Sequence, residues 1–220
     1  MSGCKTVEQL VYELDRLGAA QQCEKLMSTY SFLHTTMNHI DYMNLWSHRD
    51  DCLLEMPWGV YEGFDGVERC YLKDHGDRSF PEIREMMRGL LCVHCIGTSV
   101  IEVAEDGQTA RGVWISPGFE TSAENGIPQG CWAWSKYGVD FIREGDDWKF
   151  WKMKVYPLLK APYDTCWTDA PAYDGFPSDT TCDRPLSNPI WHYDPNGIYP
   201  ANQPDPPLPY ASYSDVGYTW

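Results

Sequence analysis

The sequence predicts an α+β domain over residues 1–157, helices first and a meander of long antiparallel strands after, followed by an extended arm over 158–220. Three observations predict it. Apolar residues at helical spacing crowd the first fifty positions. After Gly89 the chain turns to β-branched and aromatic runs joined by tight glycine turns. From Leu158 the composition changes again, and most of the sixteen prolines lie beyond that point.

Thr6-x-x-Gln9 reads as a capping box opening an amphipathic helix, with Val7, Leu10, Val11, Leu14 and Leu17 on one stripe toward the core. Gly18 is expected to break or kink that helix. A second helical run carries Leu26, Tyr30, Leu33 and Met37, and a short third one Tyr42, Leu45 and Trp46. Cys52 to Met56 reads as a strand stopped by Pro57, and Gly59 to Gly63 as an extended piece between turns. Val67, Cys70 and Tyr71 suggest a short helix. Pro81 sits where the first turn of another helix tolerates it.

Leu91 to Ala104 is expected to form one long strand, ending at the hairpin signal Asp106-Gly107. Thr109 to Ser116 returns. A loop containing Pro117, Gly118, Gly126 and Pro128 then leads into a strand from Cys131 to Arg143. Glu144-Gly145-Asp146-Asp147 turns the chain back through Trp148 to Tyr156. Beyond it, frequent proline forbids a regular helix or a central strand. Trp167, Trp191, Tyr193, Tyr210 and Trp220 read as anchors holding the arm on this domain or on a dimer partner.

A formal net charge of −15 argues against nucleic acid and anionic membranes, which demand a basic surface. No apolar run is long enough to span a bilayer, and the first residues lack the apolar core of a secretory signal. A cytoplasmic location is therefore expected. Nine scattered cysteines, an odd number, do not suggest a disulfide framework.

Glu102 to Trp114, with its Glu105-Asp106-Gly107 turn, resembles a strand pair of bacterial SnoaL-like proteins. Tyr137 to Phe141 running into Asp147 to Trp151 resembles the last hairpin of that family, and Gly59-Val60-Tyr61-Glu62-Gly63 the loop after its first strand. The likeness covers roughly residues 6–157. It implies the cone of the nuclear-transport-factor-2-like superfamily, a curved sheet wrapped around helices with a pocket between them. That superfamily includes ketosteroid isomerase, scytalone dehydratase, polyketide cyclases and bile-acid dehydratase beside members without catalysis. The resemblance further implies proton chemistry with no metal or organic cofactor, and a homodimer through the convex sheet face.

Tyr30 and His34 share a helix face one turn apart, where the resemblance implies a Tyr with an acid or base. Bile-acid dehydratase carries an Asp where this chain offers His34 or Thr35. His94, in the otherwise apolar strand Leu91 to Ile96, is the principal acid/base candidate, since an imidazole there needs a partner or stays neutral. Asp140 orients His94, acts as the base itself with a carboxyl raised by apolar surroundings, or faces solvent, because a one-residue slip of register reverses its side. Lys152 and Lys154 share that ambiguity. Trp58, Trp114, Trp132 and Trp134, with Tyr137, would supply flat walls for a ring-shaped ligand. Each has a structural alternative: Tyr30 and the tryptophans as core, His34 and His94 as satisfied buried histidines.

Cys92-x-x-Cys95 lacks a second ligand pair, and strand positions three apart point to opposite faces, so no metal is expected. Neither a GxGxxG, a Walker loop nor a GxSxG elbow occurs. The expected function is a cofactor-independent lyase or isomerase, dehydration preferred, on a steroid-like or aromatic polyketide-like small molecule. The alternative is a non-catalytic binding or dimeric accessory protein.

Overall fold

The computed structural model describes residues 4–124, 127–169, 180–186, 193–199 and 203–220, with the side chains of 122–124 left aside. Helix α1 (Val7–Thr35) leads, followed by α2 (His39–Met43), β1 (Leu53–Met56), β2 (Gly59–Glu62) and α3 (Gly63–Glu68). A π-helical turn (Arg69–Asp74) and α4 (Pro81–Met86) precede β3 (Cys92–His94), β4 (Gly97–Val103), β5 (Thr109–Ser116), β6 (Gly118–Glu124), β7 (Ile127–Glu144) and β8 (Asp147–Pro162). A single helical turn, α5 (Tyr213–Val216), lies in the arm.

The capping box is present as read: Thr6 and Gln9 satisfy each other's backbone N–H. Gly18, however, does not interrupt α1. The helix runs 29 residues through it, because a single glycine costs only about 1 kcal/mol and the turns on either side are intact. The buried face also differs from the one expected. Ala19, Cys23, Met27, Tyr30 and His34 enter the core, whereas Leu14 and Leu17 remain 70% and 69% exposed. The first turns of α1 leave that stripe to solvent and are tied to the sheet through polar contacts, Tyr12 to the Glu105 carbonyl, Arg16 to the Val103 carbonyl and Arg143 to Asp15.

The eight strands form an open, curved sheet in the order β2-β1-β8-β7-β5-β4, with β6 paired to β7 and β3 to β6. All pairings are antiparallel except β1 against β8. The segment expected as one strand from Leu91 is two: β3 pairs with β6 and β4 with β5, and Thr98 takes a positive φ of 50° just after the break. The loop expected after Ser116 is instead β6 and the start of β7. Strand β7 is long enough to pair with β6 over its first half and with β5 over its second. Register shifts at Trp134/Ser135 and Asp140/Phe141 bend it around the helices. Gly107 and Gly145, at φ 68° and 65°, make the two tight turns as read.

Tyr30, Tyr42, Trp46, Tyr71, Phe141, Phe150 and Met153 are fully buried between α1 and the concave face. Strand β8 continues past position 157 to Pro162, so the composition change at Leu158 falls inside it. Residues 180–186 dock on β2, where Val60 pairs with Arg184. Residues 210–220 lie over the outer face, with Tyr210 buried and Trp220 packed on Gly138. Trp167 meets Tyr193 edge to face. The expected anchor Trp191 lies outside the described residues.

Candidate active site

A cavity of about 350 Å³ opens between the last turns of α1 and strands β3, β6, β7 and β8. Its size suits a small-molecule ligand. Three methionines, Met37, Met56 and Met87, and the indoles of Trp58 and Trp134 line much of it.

Local geometry explains the polar cluster within. On α1, Tyr30 and His34 are four residues apart and face inward together, while the Ser31 hydroxyl donates to the His94 carbonyl at 2.6 Å and ties helix to strand. On β3, Cys92 and His94 share a face because strand side chains repeat every second residue. The register places Cys92 opposite Glu120 of β6, and His94 opposite Gly118. A side chain at position 118 would press on the His94 ring and on two carbonyls, Ala133 and Val93, so glycine is required there.

Two imidazoles of the cavity lining, His34 and His94, stack on each other with ring centroids 5.5 Å apart. Their surroundings drive them in opposite directions. Burial holds His34 well below the usual histidine range, and the neighbouring His94, His39 and His75 add to it. Its hydrogen bonds define the tautomer. The Gly76 carbonyl can only accept, so His39 Nδ1 donates to it at 2.6 Å. Neutral His39, pulled down to about 4 mainly by burial, then accepts at Nε2 from His34 Nδ1 at 2.9 Å. His34 Nε2 is left with its lone pair, 3.9 Å from Cys92 Sγ.

For His94, burial also opposes charge, but Cys92 and Glu120 outweigh it and raise the imidazolium to about 10. Its Nε2 lies 3.1 Å from Glu120 Oε1. The other Glu120 oxygen meets Lys160 at 2.5 Å. Burial works against that carboxylate, yet His94 and Lys160 prevail and hold it at about 2. The Nδ1 of His94 has no hydrogen-bond partner among the described residues. Tyr30 and Tyr137 share a hydrogen bond at 3.3 Å, and burial raises both hydroxyls far above the normal range, so both stay protonated.

Of the residues the sequence nominated, Tyr30, His34, Trp58, His94, Trp134 and Tyr137 meet at this cavity. The others lie elsewhere. Asp140 sits on the outer face, against Arg111 at 3.2 Å and under Tyr213 and Trp220, which both donate to it. Burial pushes its carboxyl up while Arg111 pulls it back. The bracketing residues Val139 and Phe141 take the inner face, so alternation carries Asp140 outward. Lys154 is on the same outer face, 3.0 Å from Glu55. Trp114 is a core residue whose indole donates to Glu24.

Glu120, Lys160, His75 and His39 were missed. Glu120 fell in a stretch read as loop, and Lys160 in the part of β8 beyond the composition change. Four of the six histidines converging on one space is a tertiary fact with no spacing signal.

His34, Cys92 and His94 bring one donor atom each within 4.8 Å of one another. Such nitrogen and sulfur donors suit a zinc-like cation, but a closed site takes four, and both rings are engaged, His34 by His39 and His94 by Glu120. Cys95 is exposed and takes no part.

The sequence profile of the SnoaL-like domain matches residues 15–154. Several solved structures are similar in fold. An NTF2-like protein with a cystatin-like fold from Novosphingobium aromaticivorans is 18% identical, with a TM-score of 0.52 over 74% of this chain and 94% of that one. Hexachlorocyclohexane dehydrochlorinase LinA-type3 from Novosphingobium barchaimii is 17% identical, with a TM-score of 0.53 over 72% and 99%. A type 2 form of the same dehydrochlorinase gives 17%, 0.54, 74% and 99%. No curated protein shows significant sequence similarity to the chain.

Proposed function

The chain belongs to the SnoaL-like domain family, and on that premise we propose that it is a cofactor-independent lyase, preferentially a dehydratase, acting on a hydroxylated cyclic small molecule. The stacked pair His34 and His94 carries this reading. Two adjacent imidazoles lining one cavity, one held neutral and one held cationic, supply a base and an acid at the same pH.

In this mechanism His34 Nε2 takes a proton from a carbon next to a carbonyl. The Tyr30 hydroxyl donates to the oxyanion that develops. His94, the cationic partner, protonates the departing hydroxyl. Glu120, itself held ionised by Lys160, keeps the acid charged between turnovers and takes the orienting place beside His94 that the sequence had offered to Asp140. The dehydrochlorinases of similar fold are named for an elimination from a chlorinated ring. Loss of water from a ring keeps the same order of events with oxygen as the leaving atom. Methionine and indole walls favour an apolar ring.

The reading also includes a homodimer. The convex sheet face expected for it carries residues 210–220, so the exposed apolar stripe of α1 is proposed in its place, and sedimentation at micromolar concentration tests the dimer.

Proton exchange and elimination separate the two histidines. In D₂O, wild type is expected to exchange the acidic C–H of cyclic β-hydroxyketones and to release water from those that fit. His94→Gln should retain exchange and lose elimination, and His34→Gln should lose both. Exchange that persists without His34, in a folded protein, would overturn the assignment.

A further inference from the structure

We propose that Cys92 is a cavity nucleophile that captures soft electrophiles, specifically cyclic α,β-unsaturated ketones, by conjugate addition. Of the nine cysteines, Cys92 lines the cavity, half-buried, with its sulfur 3.9 Å from His34 Nε2. The histidine relay decides what that nitrogen does. With Gly76 accepting from His39 and His39 accepting from His34, Nε2 carries a lone pair and can only accept. The thiol proton is therefore directed at a base fixed in place by two further hydrogen bonds. His94 lies beside the same sulfur, with all three donor atoms within 4.8 Å of one another.

A nucleophile paired with an oriented base is the arrangement of covalent catalysis. Around it the cavity provides the walls for a ring, Trp58 and Trp134, and the Tyr30 hydroxyl for a carbonyl oxygen. The addition balances without an oxidant or reductant. His34 Nε2 accepts the S–H proton, and the sulfur lone pair forms the S–C bond at the β carbon. The π pair of the C=C bond moves to the enolate, which His94 protonates at the α carbon. The net change is S–H added across C=C, and exchange with water returns the proton that His34 gained to His94. This site stands on the cavity geometry and is read without turnover, so it survives or fails separately from the elimination mechanism. Loss of water β to a carbonyl generates this class of electrophile, which gives the thiol a means of product capture.

The other cysteines provide internal controls. Cys4, Cys95 and Cys166 are exposed, Cys182 is half-buried like Cys92 but away from the cavity, and Cys23, Cys52, Cys70 and Cys131 are buried. The full-length protein is incubated with 2-cyclohexenone at neutral pH, and adduct growth at each cysteine is followed by peptide-mapping mass spectrometry. Cys92 is expected to label at least about tenfold faster than Cys4, Cys95 or Cys166, although those are more exposed. Cys92→Ser removes the fast adduct, and His34→Gln slows it about tenfold while the Cys95 rate stays constant. Labelling of Cys92 at or below the Cys95 rate in the wild-type protein overturns the proposal without recourse to any variant.

Discussion

Replacing Glu120 by Gln removes the carboxylate 3.1 Å from His94 Nε2 and keeps the shape of the side chain. Opposite unit charges at that separation attract by ~5 kcal/mol at an effective dielectric near 20, equivalent to ~4 pH units of imidazolium acidity. Burial then acts on His94 with less to oppose it, and Lys160 is left without its carboxylate. The Cys92 side of the ring retains part of the upward shift. We therefore expect the titration of His94 to fall from about 10 by at least about two units. The sign has a stability counterpart. A raised histidine contributes stability that is complete below its unfolded value near 6.5 and is lost as pH rises toward 10. In Glu120→Gln that loss should be finished by about pH 8. Nitrogen-15 NMR of histidine-labelled protein, with His94→Gln to assign the resonance, reads the shift without a substrate. A His94 titration displaced by less than about half a unit would mean that Glu120 does not hold the charge, and the acid assignment would fail with it.

Further expectations concern the rest of the molecule. His39, lowered to about 4, stays neutral in the fold. Stability should therefore fall by about 3 kcal/mol as pH drops from about 6.5 to about 4, with a flatter profile in His39→Asn, both measured by urea unfolding. Arg111 lies against buried Asp140 and also donates to the Gly217 carbonyl and Thr219. Arg111→Ala should cost about 3–5 kcal/mol by the same assay, since it leaves a buried carboxylate unpaired. Met27→Ala should cost about 2–5 kcal/mol, whereas Leu14→Ala should change stability by less than about 0.5 kcal/mol. Comparable losses in the two variants would contradict the observed face of α1.

Where sequence reading was secure, the signal was local. The Thr6–Gln9 cap and the turns at Gly107 and Gly145 each follow from a few adjacent residues whose geometry admits few alternatives. The stripe from Val7 to Leu17 shows the limit. Its periodicity correctly indicates a helix, yet which face is buried depends on what packs against it, and the sheet meets Tyr12, Asp15 and Arg16 instead. Strand β3 and the loop that became β6 show it again, because a three-residue strand has no period to detect and exists by pairing with a partner some 25 residues away.

The sequence by itself determined the fold class and brought Tyr30, His34 and His94 forward as residues that could carry chemistry. Helical spacing and the cost of an imidazole in an apolar strand are properties of neighbouring residues. Tertiary structure alone decided that Glu120 rather than Asp140 partners His94, that His39 sets the tautomer of His34, and that Cys92 enters the cavity. Strand register and side-chain direction arise from contacts between distant segments, and a shift of one residue exchanges the faces of a strand. Alternation left the side of Asp140 open, and pairing with Arg111 beneath the C-terminal residues closed it.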